Sequence, residues 1–145
     1  MLAGIAFSSS FRIILASLIA LGVVLHLLEM RRLRRLAAER AGEGLCTFAR
    51  SFSRPGLDPW VVRATYEELT PWVAVGETWV PLRASDRLDK DLRIDWEDVE
   101  DILKDIALRS GRSLQNTERN PLYGRVRTVG ELVQFIVLQP PSGAA

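Results

Sequence analysis

The feature that most constrains this chain is a long apolar run that ends in arginines. From Ile13 to Leu28 the only conventionally polar side chains are Ser17 and His26, and Arg12 is the only charge before Glu29. A helix crossing the hydrocarbon core needs about 20 predominantly apolar residues. A start near Phe7 supplies them, with Arg12 reaching toward the headgroups along its aliphatic stem. Residues 1–30 are therefore read as a single transmembrane helix. Arg31, Arg32, Arg34 and Arg35 follow directly. A cleaved leader carries its positive charge before the apolar stretch and small residues after it. Here the order is reversed, and Ala37-Ala38 lies beyond the arginines. A buried core helix is the other rival, disfavoured by so much uninterrupted apolar surface with charge packed at one end. Positive flanks prefer the cytoplasm, so the pattern implies a single-pass protein in the lipid bilayer with its C-terminal domain cytoplasmic; Arg12 opposes this weakly. The arginines could also attract anionic lipid, but a topology signal suffices to explain them. His26 has no ionisable neighbour in the span and is read as hydrated at the interface rather than as a proton relay.

Residues 31–57 read as a basic juxtamembrane helix and linker. Arg31 to Arg40 is rich in helix formers, and Gly42 and Gly44 break it. Cys46, Phe48 and Phe52 give the next stretch some apolar character, suited to packing on the domain or to lying against the bilayer. Arg54-Pro55-Gly56 reads as a turn. Cys46 has the position of an acylation site, though a small packed hydrophobe is the simpler role.

Residues 58–138 form the folded module, and residues 139–145 read as a disordered tail. Asp58-Pro59 is a helix start, and the helix should run to about Leu69, because Pro71 disfavours a helical residue before it. Between Trp72 and Leu82 either a hairpin or a long loop packed by its aromatics is open. Asp95 is placed as the cap of a second helix, Trp96 to Arg109. There Val99, Ile102, Leu103 and Ile106 have the spacing of one buried stripe, and Gly111 ends the helix. Thr128 caps a last helix, with Glu131 at capping-box spacing. Its stripe is Val129, Leu132, Val133, Ile136 and Val137. The stretch from Ser113 to Arg127 is polar, with a turn at Asn120-Pro121 and room for a short helical turn. The fold class is all-α: a three-to-four-helix bundle behind one membrane helix, its core made of aliphatics with some of Trp60, Trp72, Trp79 and Trp96.

Several chemistries find no residues here. One histidine and one cysteine argue against a His/Cys zinc site and against Ser/His or Cys/His nucleophilic pairs in the module. No Gly-rich phosphate loop is present, and 19 basic against 18 acidic residues do not make a nucleic-acid binder. The acids Asp95, Glu97, Asp98, Glu100, Asp101 and Asp105 lie on a helix, not in the glycine-punctuated loop that calcium requires. No enzyme activity, metal or cofactor is expected. What stands out is charge. Residues 58–138 hold 15 acids and 11 bases, and the second helix is strongly negative, with Glu97, Asp98, Glu100, Asp101 and Asp105 as the candidate partner-binding face. Such a helix steers basic partners toward it; as a plain solvated face it would only keep the module soluble.

The stretch Asp86-Arg-Leu-Asp-Lys-Asp-Leu-Arg-Ile-Asp95, followed by the acidic helix, resembles the acyl carrier proteins, in which an Asp-Leu-Gly-hydrophobic-Asp run leads into an acidic second helix. Thr128-Val129-Gly130-Glu131-Leu132-Val133-Gln134-Phe135-Ile136 is similar to that family's closing helix. The resemblance covers residues 58–138 and implies a small helical bundle. It also implies a second helix used for recognition, and partners among lipid, fatty acid or polyketide enzymes. The departure is chemical. Working carriers place after that aspartate a serine whose hydroxyl bears the phosphopantetheine arm. Trp96 stands there, and an indole cannot form the phosphodiester. Glu97 replaces the leucine common at the next position. The chain is in this respect similar to serine-less acyl-carrier-like bacterial proteins of unknown function. The sequence thus implies a membrane-anchored, carrier-like docking or adaptor protein. Two alternatives stay open: a carrier modified at another serine (Ser85, Ser110 or Ser113), and a structural subunit of a membrane complex, with Ala16, Ser17, Ala20 and Gly22 offering small residues for helix contact.

Overall fold

The computed structural model describes residues 9–52, 56–74, 76, 77 and 79–143 of the 145. The span's start near Phe7, and Arg54 and Pro55 of the expected turn, lie outside them. Five α-helices and no strand are found among the described residues: α1 (Ser9–Glu39), α2 (Leu45–Arg50), α3 (Pro59–Leu69), α4 (Trp96–Ser110) and α5 (Val129–Val137). Short 3-10 turns follow α3 at Thr70–Val73 and precede α5 at Thr117–Arg119.

The local signals place the module's helices. Asp58 accepts from the Trp60 amide at 3.0 Å, with Pro59 in the first turn of α3. Pro71 falls in the 3-10 turn that replaces the α-helix after Leu69. Gly111 adopts φ +66 and stops α4. α5 opens with a complete capping box: the Glu131 amide donates to Thr128 Oγ1 at 3.2 Å and the Thr128 amide to Glu131 Oε2 at 3.0 Å. Asp95 precedes α4 with extended backbone, but its side chain makes no cap bond, which corrects the expectation of a capping aspartate.

α3 packs on both α4 and α5, and α2 closes over α3. Val61, Leu69, Val99, Ile102, Ile106, Val129, Leu132, Val133 and Ile136 are buried between the three longer module helices. Between α3 and α4 the described residues form no strand, so no hairpin is found among them, and Val80, Leu82, Leu88, Leu92 and Ile94 drop into the core.

Three expectations are corrected. The tryptophans are not core residues: Trp60, Trp72, Trp79 and Trp96 are each about half exposed or more, whereas Phe48, Phe52 and Phe135 are buried. Phe48 stacks against Phe52 and Tyr66 with ring centres 5.0 and 5.1 Å apart. Of the two courses open to the segment around Phe48, it takes packing on the domain. Its Phe48 and Phe52 belong to the core, and Leu33, Leu36 and Ala37 of α1 pack against it. Cys46, on the other side of α2, is exposed rather than packed. The C-terminal residues up to 143 are also tied down. Ser113 N donates to Pro140 O and Ser142 N to Gly111 O, both at 2.8 Å, and Gln139 is buried.

Candidate functional site

α1 is one unbroken helix of 31 residues, about 46 Å at 1.5 Å per residue. It is long and apolar enough to cross a membrane, and its apolar side chains from Phe11 to Leu28 are exposed. Beyond Leu28 the helix changes partner. At 100° per residue, Glu29, Arg32, Leu33, Leu36, Ala37 and Arg40 share one side, and that side meets the module.

The grip is specific. Arg40 Nη1 and Nη2 donate to Asp86 Oδ2 and Oδ1, each at 2.7 Å, in a bidentate pair. The pair is nearly closed to solvent, with side chains 7% and 4% exposed. Arg40 Nη1 also donates to Pro81 O at 2.7 Å, and the Arg83 amide donates to Asp86 Oδ2 at 2.8 Å. The backbone of this turn then serves α5. Val129 N donates to Asp86 O at 2.9 Å and Gly130 N to Ala84 O at 2.8 Å, answering two amides that a helix start leaves open. Nearer the apolar run, Arg32 donates to the carbonyls of Lys90 and Asp91, and Arg93 pairs with Glu29. Arg93 holds φ +55 to do so. At the far end Arg83 pairs with Glu43, which lowers the Glu43 pKa. The loop of residues 81–93 is thus held at three levels, by Glu29 and Arg32 of α1 and by Arg40 and Glu43 just past its end.

α4 lies with its buried stripe toward α3 and its charges outward. Glu97, Glu100, Asp101 and Asp105 are exposed and Asp98 is half-buried. Lys104 pairs with Asp101 at 2.7 Å, and the other four form no ion pair with any described residue. Trp96 and Leu108 stand at the two ends of this face, 49% and 82% exposed. Arg109 leaves the face and pairs with Glu67 and Glu68 of α3; Glu67 also accepts from Arg63 at 2.7 Å, and its pKa is lowered by that bond first and by Arg109.

Trp96 walls an open cleft of about 410 Å³ between α4 and the loop before α5, with Leu103, Leu114, Tyr123 and Phe135 among its lining. Of the serines considered for an arm, Ser110 donates back to Ile106 O at 2.6 Å and Ser113 accepts from Gln115 N at 3.2 Å. Ser85 is exposed on the turn between Arg83 and Asp86. Among the described residues no three His, Cys, Asp or Glu side chains come together as a metal site.

The four arginines read from the sequence as one flank divide. Arg32 faces the module, whereas Arg31, Arg34 and Arg35 are exposed on the other side of α1. Sequence reasoning missed Arg40 and Asp86. The only available sign was an arginine one turn past the helical cluster, and any surface arginine carries the same sign. Neither the chain nor its structure matches a known protein family, a curated protein or a solved structure.

Proposed function

We propose that this chain is a single-pass membrane protein that holds a non-catalytic docking module at a set position beside the cytoplasmic face of the bilayer. In this reading the acidic face of α4 is offered to a basic protein partner. The observation that carries it is the continuity of α1. The helix that exposes an apolar surface from Phe11 to Leu28 also supplies Leu33, Leu36, Ala37 and the Arg40 clamp to the module. Cleavage near Ala37-Ala38 would strip Leu33, Leu36 and Ala37 from their packing on the core, which speaks for an anchor rather than a leader. The basic flank supports the cytoplasmic orientation. Unanswered acids, with exposed Trp96 and Leu108 at either end, are the composition of a surface that steers encounter by charge and holds by apolar contact.

The likeness to acyl carrier proteins favours enzymes of lipid or acyl metabolism as partners, and Trp96 favours a docking role without an arm. The test is crosslinking in membranes of the full chain carrying a photoreactive residue at Glu100, with Glu97→Lys/Asp101→Lys/Asp105→Lys as control. One protein neighbour that disappears in the control supports the reading. Recovery of only lipids and chaperones, or a neighbour unaffected by charge reversal, rejects it. Intact-mass measurement after treatment with a broad phosphopantetheinyl transferase tests the carrier alternative, and no added mass is expected.

A further inference from the structure

Arg31, Arg34 and Arg35 follow each other at i, i+3 and i+4, so they share one face of α1. All three are exposed and make no hydrogen bond or ion pair with any described residue. The face is opposite the one that carries Arg32, Leu33, Leu36 and Arg40 to the module, so the module leaves it open. Elsewhere Arg63, Arg83, Arg87, Arg93, Arg109 and Arg112 each meet a carboxylate. Glu29 pairs with Arg32 and Arg93, and Glu39, one turn past Arg35, forms no ion pair with any of the three. Along the axis the three lie about 5–10 Å beyond Leu28, the last residue of the apolar surface. The headgroup layer outside a hydrocarbon core is about 5–8 Å deep, so Arg31 stands at it and Arg34 and Arg35 reach back to it along their aliphatic stems.

We propose that Arg31, Arg34 and Arg35 bind the phosphate groups of anionic phospholipids on the side of α1 that faces away from the module. The proposal rests on the membrane reading above. Guanidinium groups pair with phosphate bidentately and stay charged in contact with lipid. With the module on one side of the helix, the bound phosphates occupy the side that the module leaves open.

The experiment uses the full chain in nanodiscs of equimolar phosphatidylglycerol and phosphatidylcholine, with retained lipids counted by native mass spectrometry and carbonate extraction of cell membranes run alongside. The wild-type chain should resist extraction and retain phosphatidylglycerol over phosphatidylcholine. R31Q/R34Q/R35Q should lower that preference by roughly fivefold for each arginine removed, while R32Q keeps it. An inserted wild-type chain that retains both lipids equally overturns the proposal, as does a triple variant with undiminished preference or an R32Q variant that loses as much. Release of the chain by carbonate would instead reject the membrane reading itself.

Discussion

The Asp86 carboxylate accepts from both outer nitrogens of Arg40 and from the Arg83 amide, away from solvent. Arg40→Ala leaves that charge buried and unpaired, at a cost of about 3–5 kcal/mol. Arg40→Met with Asp86→Asn removes both charges and keeps an acceptor for the Arg83 amide. It should recover more than half of the loss, read as thermal unfolding of the full chain in detergent. Asp58 makes the second prediction. It caps α3 and accepts from Arg112 Nη2 at 2.8 Å, and that bond chiefly holds its pKa below the usual aspartate range. A carboxylate with a lowered folded-state pKa contributes stability fully above its unfolded value, near 3.9, and loses it as pH falls through the lowered one. Asp58→Asn keeps the cap but loses the charge-assisted bond to Arg112, so it should flatten the acid limb of the stability profile and lower stability at neutral pH by about 1 kcal/mol.

Between elements a close fit occurs where α5 starts against the turn of Ala84. A Cβ built on Gly130 would stand 2.9 Å from Ala84 O, a backbone atom. Gly130→Ala must push the turn off α5 and weaken the Gly130 amide bond, a loss of about 1–3 kcal/mol. Gly22→Ala in α1, where nothing lies within 4 Å, should leave unfolding unchanged. α5 was legible in the sequence because its signals are local: Thr128 and Glu131 are three residues apart and its stripe has helical period. α4 was legible for the same reason, in its stripe and in Gly111. The Arg40–Asp86 pair was not, because its partners are 46 residues apart, and pairing at that distance leaves no mark on either neighbourhood. Phe48 and Phe52 did carry a signal, an i, i+4 aromatic pair on one face of a turn of helix, obscured by the glycines before it. The tryptophans misled because hydrophobicity alone assigned them inward. A Trp is large enough to cover a core edge while leaving half its surface in water.

For the molecule as a whole, the proposed docking role makes the charge on α4 a matter of how a partner arrives rather than of how the bundle folds. The acids Glu97, Glu100 and Asp105 are exposed and form no ion pair with any described residue. Glu97→Gln/Glu100→Gln/Asp105→Asn should leave the unfolding temperature within a degree or two. With the partner found by crosslinking, it should slow association about tenfold at low ionic strength, an effect that fades in 0.5 M salt. Stopped-flow mixing at two salt concentrations measures both. The candidate face itself was readable from sequence, since acids on a helix opposite an apolar stripe must point outward. The way that face is mounted was not, because it depends on the loop of residues 81–93 being gripped by α1.

That mounting has a mechanical consequence. α1 has no joint between Leu28 and Glu39, and Arg40 locks the next turn to the bundle. A helix in lipid adjusts to bilayer thickness by tilting, commonly about 20°. In the proposed anchored state any such tilt swings the entire bundle like a lever, raising or lowering α4 over the surface. On that reading a thinner or thicker membrane changes the height at which a partner meets α4.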